Sequence, residues 1–336
     1  MQRALTPFLL LALLLSQQGC LQLDSAVHSP VHCSTVGAAT CEEEMDPFSK
    51  LCTPCEEPYD WAITVPWPAP FFDGAAITAL RTPQITRRPI QTRDGEGELD
   101  LYLIPSHGEV PERATTTIVV QHGNYAGIEH YIPRFKIFHE LGYELIVWDY
   151  RGYGKSLPET TPTSEQFMED AHQIQSLLPD LIARMREGRP TADASGPIFY
   201  YGMSLGTIPS VEMALQEPAP CGLILEVPFT SIHEIAKTNT GTSLGGGFLT
   251  SGDYENVDKI ERYTNPLMIL HASEDKLFPL ESVQKIHDNA GSTDKTLHII
   301  EGAEHGNGQG VPETAGFTRY GELLDTFITR ASSGCT

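Results

Sequence analysis

Phe199–Thr207 reads FYYGMSLGT, with a glycine two residues before Ser204 and another two residues after it. A lone G-x-S-x-G arises by chance, so its flanks decide the reading. The apolar run PIFYYGMS (197–204) has the length and composition of a buried strand, and helix-like sequence resumes two residues after the serine. A strand that becomes a helix so abruptly needs a very sharp turn. In such a turn the serine is held in a strained backbone conformation that lifts its hydroxyl off the sheet, and side chains at Gly202 and Gly206 would collide with the neighbouring strand and helix. Pro209 is at odds with this pattern: it removes a backbone donor early in the helix unless the first turn is irregular or starts late.

Outward from this point the chain alternates. Residues 75–104 read as a hairpin turning at Asp94-Gly95. Apolar runs of strand length follow at 115–123, 144–150, 197–204, 222–229, 266–275 and 296–306. Helix-like segments lie near 130–141, 164–187, 206–217, 281–290 and 313–331. Continuous apolar strands separated by helices indicate a mostly parallel central sheet with helices on both faces. Two antiparallel strands ahead of that run complete the plan of an α/β-hydrolase fold.

A serine hydroxyl is a weak nucleophile until a base takes its proton, and the base must itself be oriented. In a sheet of this kind the partners follow later strands in the order serine, acid, histidine. HASEDKLFP places Asp275 after the strand beginning at 266, and EGAEHGN places His305 after the last strand. Ser204, Asp275 and His305 are therefore the expected catalytic residues. Glu274 is a rival acid, and Asp253 and Asp258 are weaker ones because their segment lacks strand character. Charge developing on a carbonyl oxygen needs backbone donors, expected here from Leu205 and from Asn124 in QHGNYAG, with Asn124 ahead of Tyr125. His122 is expected to be structural, because the base position is already filled. This chemistry requires no cofactor and no metal.

As an ordered set, HGN, DYRGYGKS (Asp149–Ser156), YGMSLG, EVPFTS (Glu226–Ser231), HASEDKLFP and EGAEHGN resemble the α/β-hydrolase branch that includes serine-aminopeptidase-like and depalmitoylase-like hydrolases. The resemblance covers roughly residues 75–330. It implies a Ser204–His305–Asp275 triad and a structural role for the turn around Arg151. Specificity in this fold usually comes from an insertion after the strand that follows the nucleophile helix. Only Thr230–Asn265, short and glycine-rich, is available for it, so a small cap over an open site is expected. The substrate is expected to be a modest acyl ester or thioester. A peptide or amide substrate on the same fold, or a binding module that has lost turnover, are the alternatives.

Composition sets the surroundings. With 22 Lys+Arg against 44 Asp+Glu the formal net charge is −22, a field that repels phosphate backbones and makes a nucleic-acid partner improbable. It also argues against fast capture of acidic substrates. The N-terminus carries one Arg and an apolar run, Ala4–Leu15, too short to anchor in a bilayer, so residues 1–19 read as an export signal. Nothing later resembles a transmembrane helix. Gly19-Cys20 resembles a bacterial lipoprotein cleavage site, although Gln17 stands where Leu is usual. A lipid anchor at Cys20 is expected, with plain secretion or a periplasmic location as the alternative. Of the seven cysteines, lipidation of Cys20 would leave six, enough for three disulfides. Residues 20–59 form a cysteine-containing extension before the hydrolase domain of 60–336. Cys33, Cys41, Cys52 and Cys55 lie close enough in sequence for two local bridges, which leaves Cys221 to pair with Cys335. Zinc or redox chemistry at Cys52-Thr-Pro-Cys55 is the less favoured reading.

Overall fold

The computed structural model describes residues 84–124, 127–192, 195–231, 254–306 and 309–335. The export signal, the cysteine-rich extension with its zinc alternative, Tyr125 and most of the expected cap lie outside the described residues.

Ten strands are present among the described residues: β1 (Thr86–Arg87), β2 (Ile90–Gln91), β3 (Glu98–Leu99), β4 (Leu101–Ile104), β5 (Thr117–Gln121), β6 (Glu144–Trp148), β7 (Ile198–Met203), β8 (Gly222–Glu226), β9 (Leu267–Ala272) and β10 (Lys295–Ile300). Eight form one sheet in the order β1-β4-β6-β5-β7-β8-β9-β10. β4 is antiparallel to both β1 and β6, and every other pairing is parallel. This is the α/β-hydrolase fold.

The expected hairpin turns at Asp94-Gly95, where Gly95 takes a φ of 73° that favours glycine. It is split into two pairings: Ile90 opposes Leu99 in a small separate ribbon, while Thr86 opposes Leu103 in the main sheet. Pro89, between β1 and β2, has no N–H to continue the ladder. Arg151 fixes the turn from below. Its Nε and Nη2 donate to the two oxygens of Asp170 at 2.7 Å each, and its Nη1 donates to Asp94 at 2.6 Å. The expected structural role of that arginine is what the geometry gives.

Helices α1 (Ile128–Glu140), α2 (Ser164–Arg186), α3 (Thr207–Ala214), α4 (Asn256–Lys259), α5 (Leu280–Asn289), α6 (Val311–Ala315) and α7 (Phe317–Ser332) cover the sheet. α2 begins on a capping box, Thr163 and Gln166 each satisfying the other's backbone N–H. The segment expected as one helix over 313–331 is two, because Gly316, at φ 79°, breaks it. Alternation along the strands divides the core. On β7, Tyr200 faces the layer of α2, α3 and α5, while Phe199, Tyr201 and Met203 face α1 and α7. Cys221, just before β8, is bonded to Cys335, just after α7, with a Cα–Cα distance of 5.4 Å. That is the pairing expected from sequence. Among the described residues, no helix is long and apolar enough to cross a membrane.

Candidate active site

Ser204 is the first residue beyond β7 and has a φ of 51°, in the left-handed region that costs an L residue about 1–2 kcal/mol. The surroundings leave it no alternative. A Cβ on Gly206 would overlap the carbonyl oxygens of Gln121 and His122, and one on Gly202 would overlap Ser210 Oγ and the Gly206 carbonyl. A 3₁₀ turn over Ser204–Gly206 then leads into α3. Pro209 consequently falls in the first turn of α3, where N–H groups have no intrahelical acceptor, so the missing donor is tolerated.

Three residues read from separate strand ends meet in one row. Ser204 Oγ is 2.9 Å from His305 Nε2, and His305 Nδ1 is 2.8 Å from Asp275 Oδ2. The second carboxylate oxygen, Oδ1, accepts the backbone N–H groups of Leu277 at 2.8 Å and Phe278 at 2.9 Å. Burial pushes the Asp275 carboxyl up, but the hydrogen bond and charge of His305 and the Phe278 N–H outweigh it, and the group lies below the ordinary carboxylate value. An ionised Asp275 selects the His305 tautomer with the proton on Nδ1, leaving the Nε2 lone pair facing the serine. Glu274, the rival acid, is exposed, and its N–H is bound to the Ala303 carbonyl. Asp258 is exposed on α4, and Asp253 lies outside the described residues.

Leu205 occupies the 3₁₀ turn and is buried. Its N–H stands at the start of a helical run, where donors lack an intrahelical partner. Asn124 lies just past β5, half-buried, with its side-chain Oδ1 accepting from Tyr153 at 2.6 Å. His122 is built into the turn beneath: it stacks on Tyr150 at 4.2 Å and Tyr131 at 5.4 Å, and its Nδ1 is 2.8 Å from the Gly123 carbonyl.

Several residues that shape the site escaped the sequence reading. Thr207 Oγ1 donates to the Ser204 carbonyl at 2.6 Å and accepts from Phe229 N at 3.0 Å, which ties the serine turn to the loop after β8. Asn256 joins the same link, donating to the Phe229 carbonyl at 2.9 Å. Glu226, opposite Met203 in the β7–β8 register, is wholly buried and accepts from Arg134, Tyr201 and Tyr320. Arg134 also reaches Glu313 at 3.2 Å. The network fastens α1, α6 and α7 around the ends of β7 and β8. A Glu inside an otherwise apolar run was the one available signal for it.

A family profile described as "Serine aminopeptidase, S33" matches residues 112–250 and 248–307, together more than half of the chain. The chain belongs to this family. Lysophosphatidylserine lipase ABHD12 of Macaca fascicularis is 29% identical over 191 residues, 52% of this chain and 45% of that protein. The chain thus spans about half the length of such relatives. Alpha/beta hydrolase domain-containing protein 17B of Homo sapiens is 26% identical over 219 residues, covering 65% of this chain and 67% of its own. Among solved structures, Est1E from Butyrivibrio proteoclasticus with bound ferulic acid superposes with a TM-score of 0.57 at 20% identity, over 73% of this chain and 98% of that one. A soluble variant of monoglyceride lipase from Saccharomyces cerevisiae gives 0.56 at 16%, over 75% and 96%. At such identities these structures speak for the fold alone, and they agree with the S33 family's α/β-hydrolase membership.

Proposed function

We propose that this protein is an exported serine hydrolase that cleaves carboxylic esters or thioesters through an acyl-enzyme on Ser204. The observation that carries the proposal is the unbroken row Ser204 Oγ–His305 Nε2–Asp275 Oδ2, with contacts of 2.9 and 2.8 Å. His305 takes the Ser204 proton as Oγ attacks the acyl carbon, and Asp275 stabilises the imidazolium that forms. The N–H groups of Leu205 and Asn124 receive the charge developing on the carbonyl oxygen. Collapse of the tetrahedral species expels the alcohol or thiol, which takes its proton from His305 Nε2. Water, deprotonated by the same nitrogen, then releases the acid and restores Ser204.

The lipase relatives support ester over amide chemistry. The −22 net charge favours a neutral ester over one with an acidic group. Peptide or amide cleavage is the second reading, favoured by the description of the family itself. The Cys221–Cys335 bond supports an oxidising compartment, consistent with export by residues 1–19 and a lipid anchor at Cys20. The test is labelling with a fluorophosphonate followed by peptide mapping. Modification at Ser204, together with turnover of short p-nitrophenyl esters, is expected. A folded protein that is neither labelled nor active would leave a non-catalytic module in its place.

A further inference from the structure

The acid of the proposed triad has a neighbour that the mechanism above does not use. His271 lies on β9, four residues before Asp275, and pairs with Ile299 of β10. Its parity with Leu267 and Ile269 turns its ring toward the layer that holds Phe278 and Val283. The ring is wholly buried, and neither nitrogen makes a hydrogen bond of good geometry, the Phe278 backbone being the polar group that approaches it. Leaving a buried polar group unpartnered costs about 1–3 kcal/mol, so the imidazole is an expensive occupant of an apolar strand. Its Nδ1 is 4.0 Å from Asp275 Oδ2, the same oxygen that His305 Nδ1 contacts at 2.8 Å.

We propose that His271 is a positioning residue for Asp275, a neutral imidazole whose Nδ1 edge, 4.0 Å from Oδ2, backs that oxygen and keeps it turned toward His305. The inference rests on the triad reading given above. Asp275 Oδ1 is fixed by two backbone donors, whereas Oδ2 has His305 as its one close contact. In the proposed cycle His305 gains and loses a proton, so its grip on Oδ2 varies. A ring dipole packed behind Oδ2 at 4.0 Å limits rotation of the carboxylate when that grip loosens. The role requires His271 to stay uncharged, because a cation there would compete with His305 for the carboxylate. Burial pulls its pKa down to about 4, with the positive charge of His305 acting in the same direction and Asp275 and the Phe278 backbone opposing both.

The experiment compares wild type, His271→Leu and His271→Asn in the full chain. Leu and Asn have nearly the same shape, and Asn can place its amide N–H where Nδ1 stands. The His305 Nδ1–H proton is followed by NMR, and kcat, KM and Tm are measured in parallel. His271→Leu is expected to weaken the bond from His305 Nδ1–H to Asp275, read as an upfield move of that proton's resonance, because the carboxylate is less well oriented. It is also expected to lower kcat by about five- to tenfold with KM unchanged, and His271→Asn is expected to restore both. An Nδ1–H resonance of His305 unchanged in His271→Leu would overturn the proposal whatever happens to Tm. If the Leu variant does not fold, His271→Met carries the same comparison. Because the NMR reading needs no turnover, an inert wild type would count against the hydrolase reading while leaving this test standing.

Discussion

In the turn after β7, Ser204 is held at φ 51° between two glycines whose missing side chains let backbone oxygens close in, while in the turn after β9 Asp275 is held by two N–H groups and an imidazole. The first turn is fixed by exclusion: no charge is involved, and strain is stored in a close-packed setting. The second is fixed by attraction among a carboxylate, its donors and two histidines. One should yield to added atoms and ignore acid. The other should tolerate small steric changes and yield to protons.

Removing the chemistry from each turn gives the largest effects. Ser204→Ala is expected to lower kcat for p-nitrophenyl esters by about 10⁶-fold with the fold intact, since serine nucleophiles act as a unit with their base. Retention of most activity would remove Ser204 from the mechanism. Asp275→Asn should lower kcat by about 10⁴-fold, because an amide favours the wrong imidazole tautomer. Glu274→Gln is the control on the same turn, and the reverse ranking would make Glu274 the acid.

Steric insult should separate the turns next. Gly206→Ala places a methyl against the Gln121 and His122 carbonyls, and backbone cannot swing aside as a side chain would. A loss of about 3 kcal/mol in urea unfolding is expected, at the upper end for overpacking. A neutral result would mean that the serine turn is looser than its contacts indicate.

Acid tests the other turn. His271 has a folded pKa of about 4 against an ordinary 6.5, so the unfolded chain binds the extra proton between those values. Stability from its neutral, buried state is complete above about pH 6.5 and is lost as pH falls toward 4. The loss amounts to about 3 kcal/mol at 1.36 kcal/mol per unit. Asp275, also lowered, adds a further loss below its ordinary value of 3.8. His271→Leu should flatten the unfolding free energy between pH 6.5 and 4.5, and hydrogen exchange should show residues 275–278 opening before 202–206. The smallest effect is expected from Glu274→Gln, within about 0.5 kcal/mol of wild type in stability, as for an exposed side chain.

The two turns also differ in how plainly the sequence announced them. Ser204 was legible because glycines, strand and helix converge on it. Asp275 and His305 were legible because each follows an apolar run in a fixed order. The expected strands ran several residues past their true ends, 266–275 against Leu267–Ala272 for instance, where the chain has already turned at the polar run Ser273-Glu274-Asp275, with Glu274 exposed. The break at Gly316 was missed because one glycine in a helical pattern is usually tolerated. His271 and Glu226 read as ordinary strand residues. What sets them apart is burial and the presence or lack of partners, and neither exists until distant segments meet.

The bond between Cys221 and Cys335 encloses Asp275 and His305 within its loop and leaves Ser204 outside it. A protease that cut once anywhere between residues 222 and 334 would therefore not release a fragment. Asp275 and His305 would stay covalently joined to the segment bearing Ser204, and the nick would become visible on a gel only after reduction. Such a ring turns the first cut from a severance into a scar.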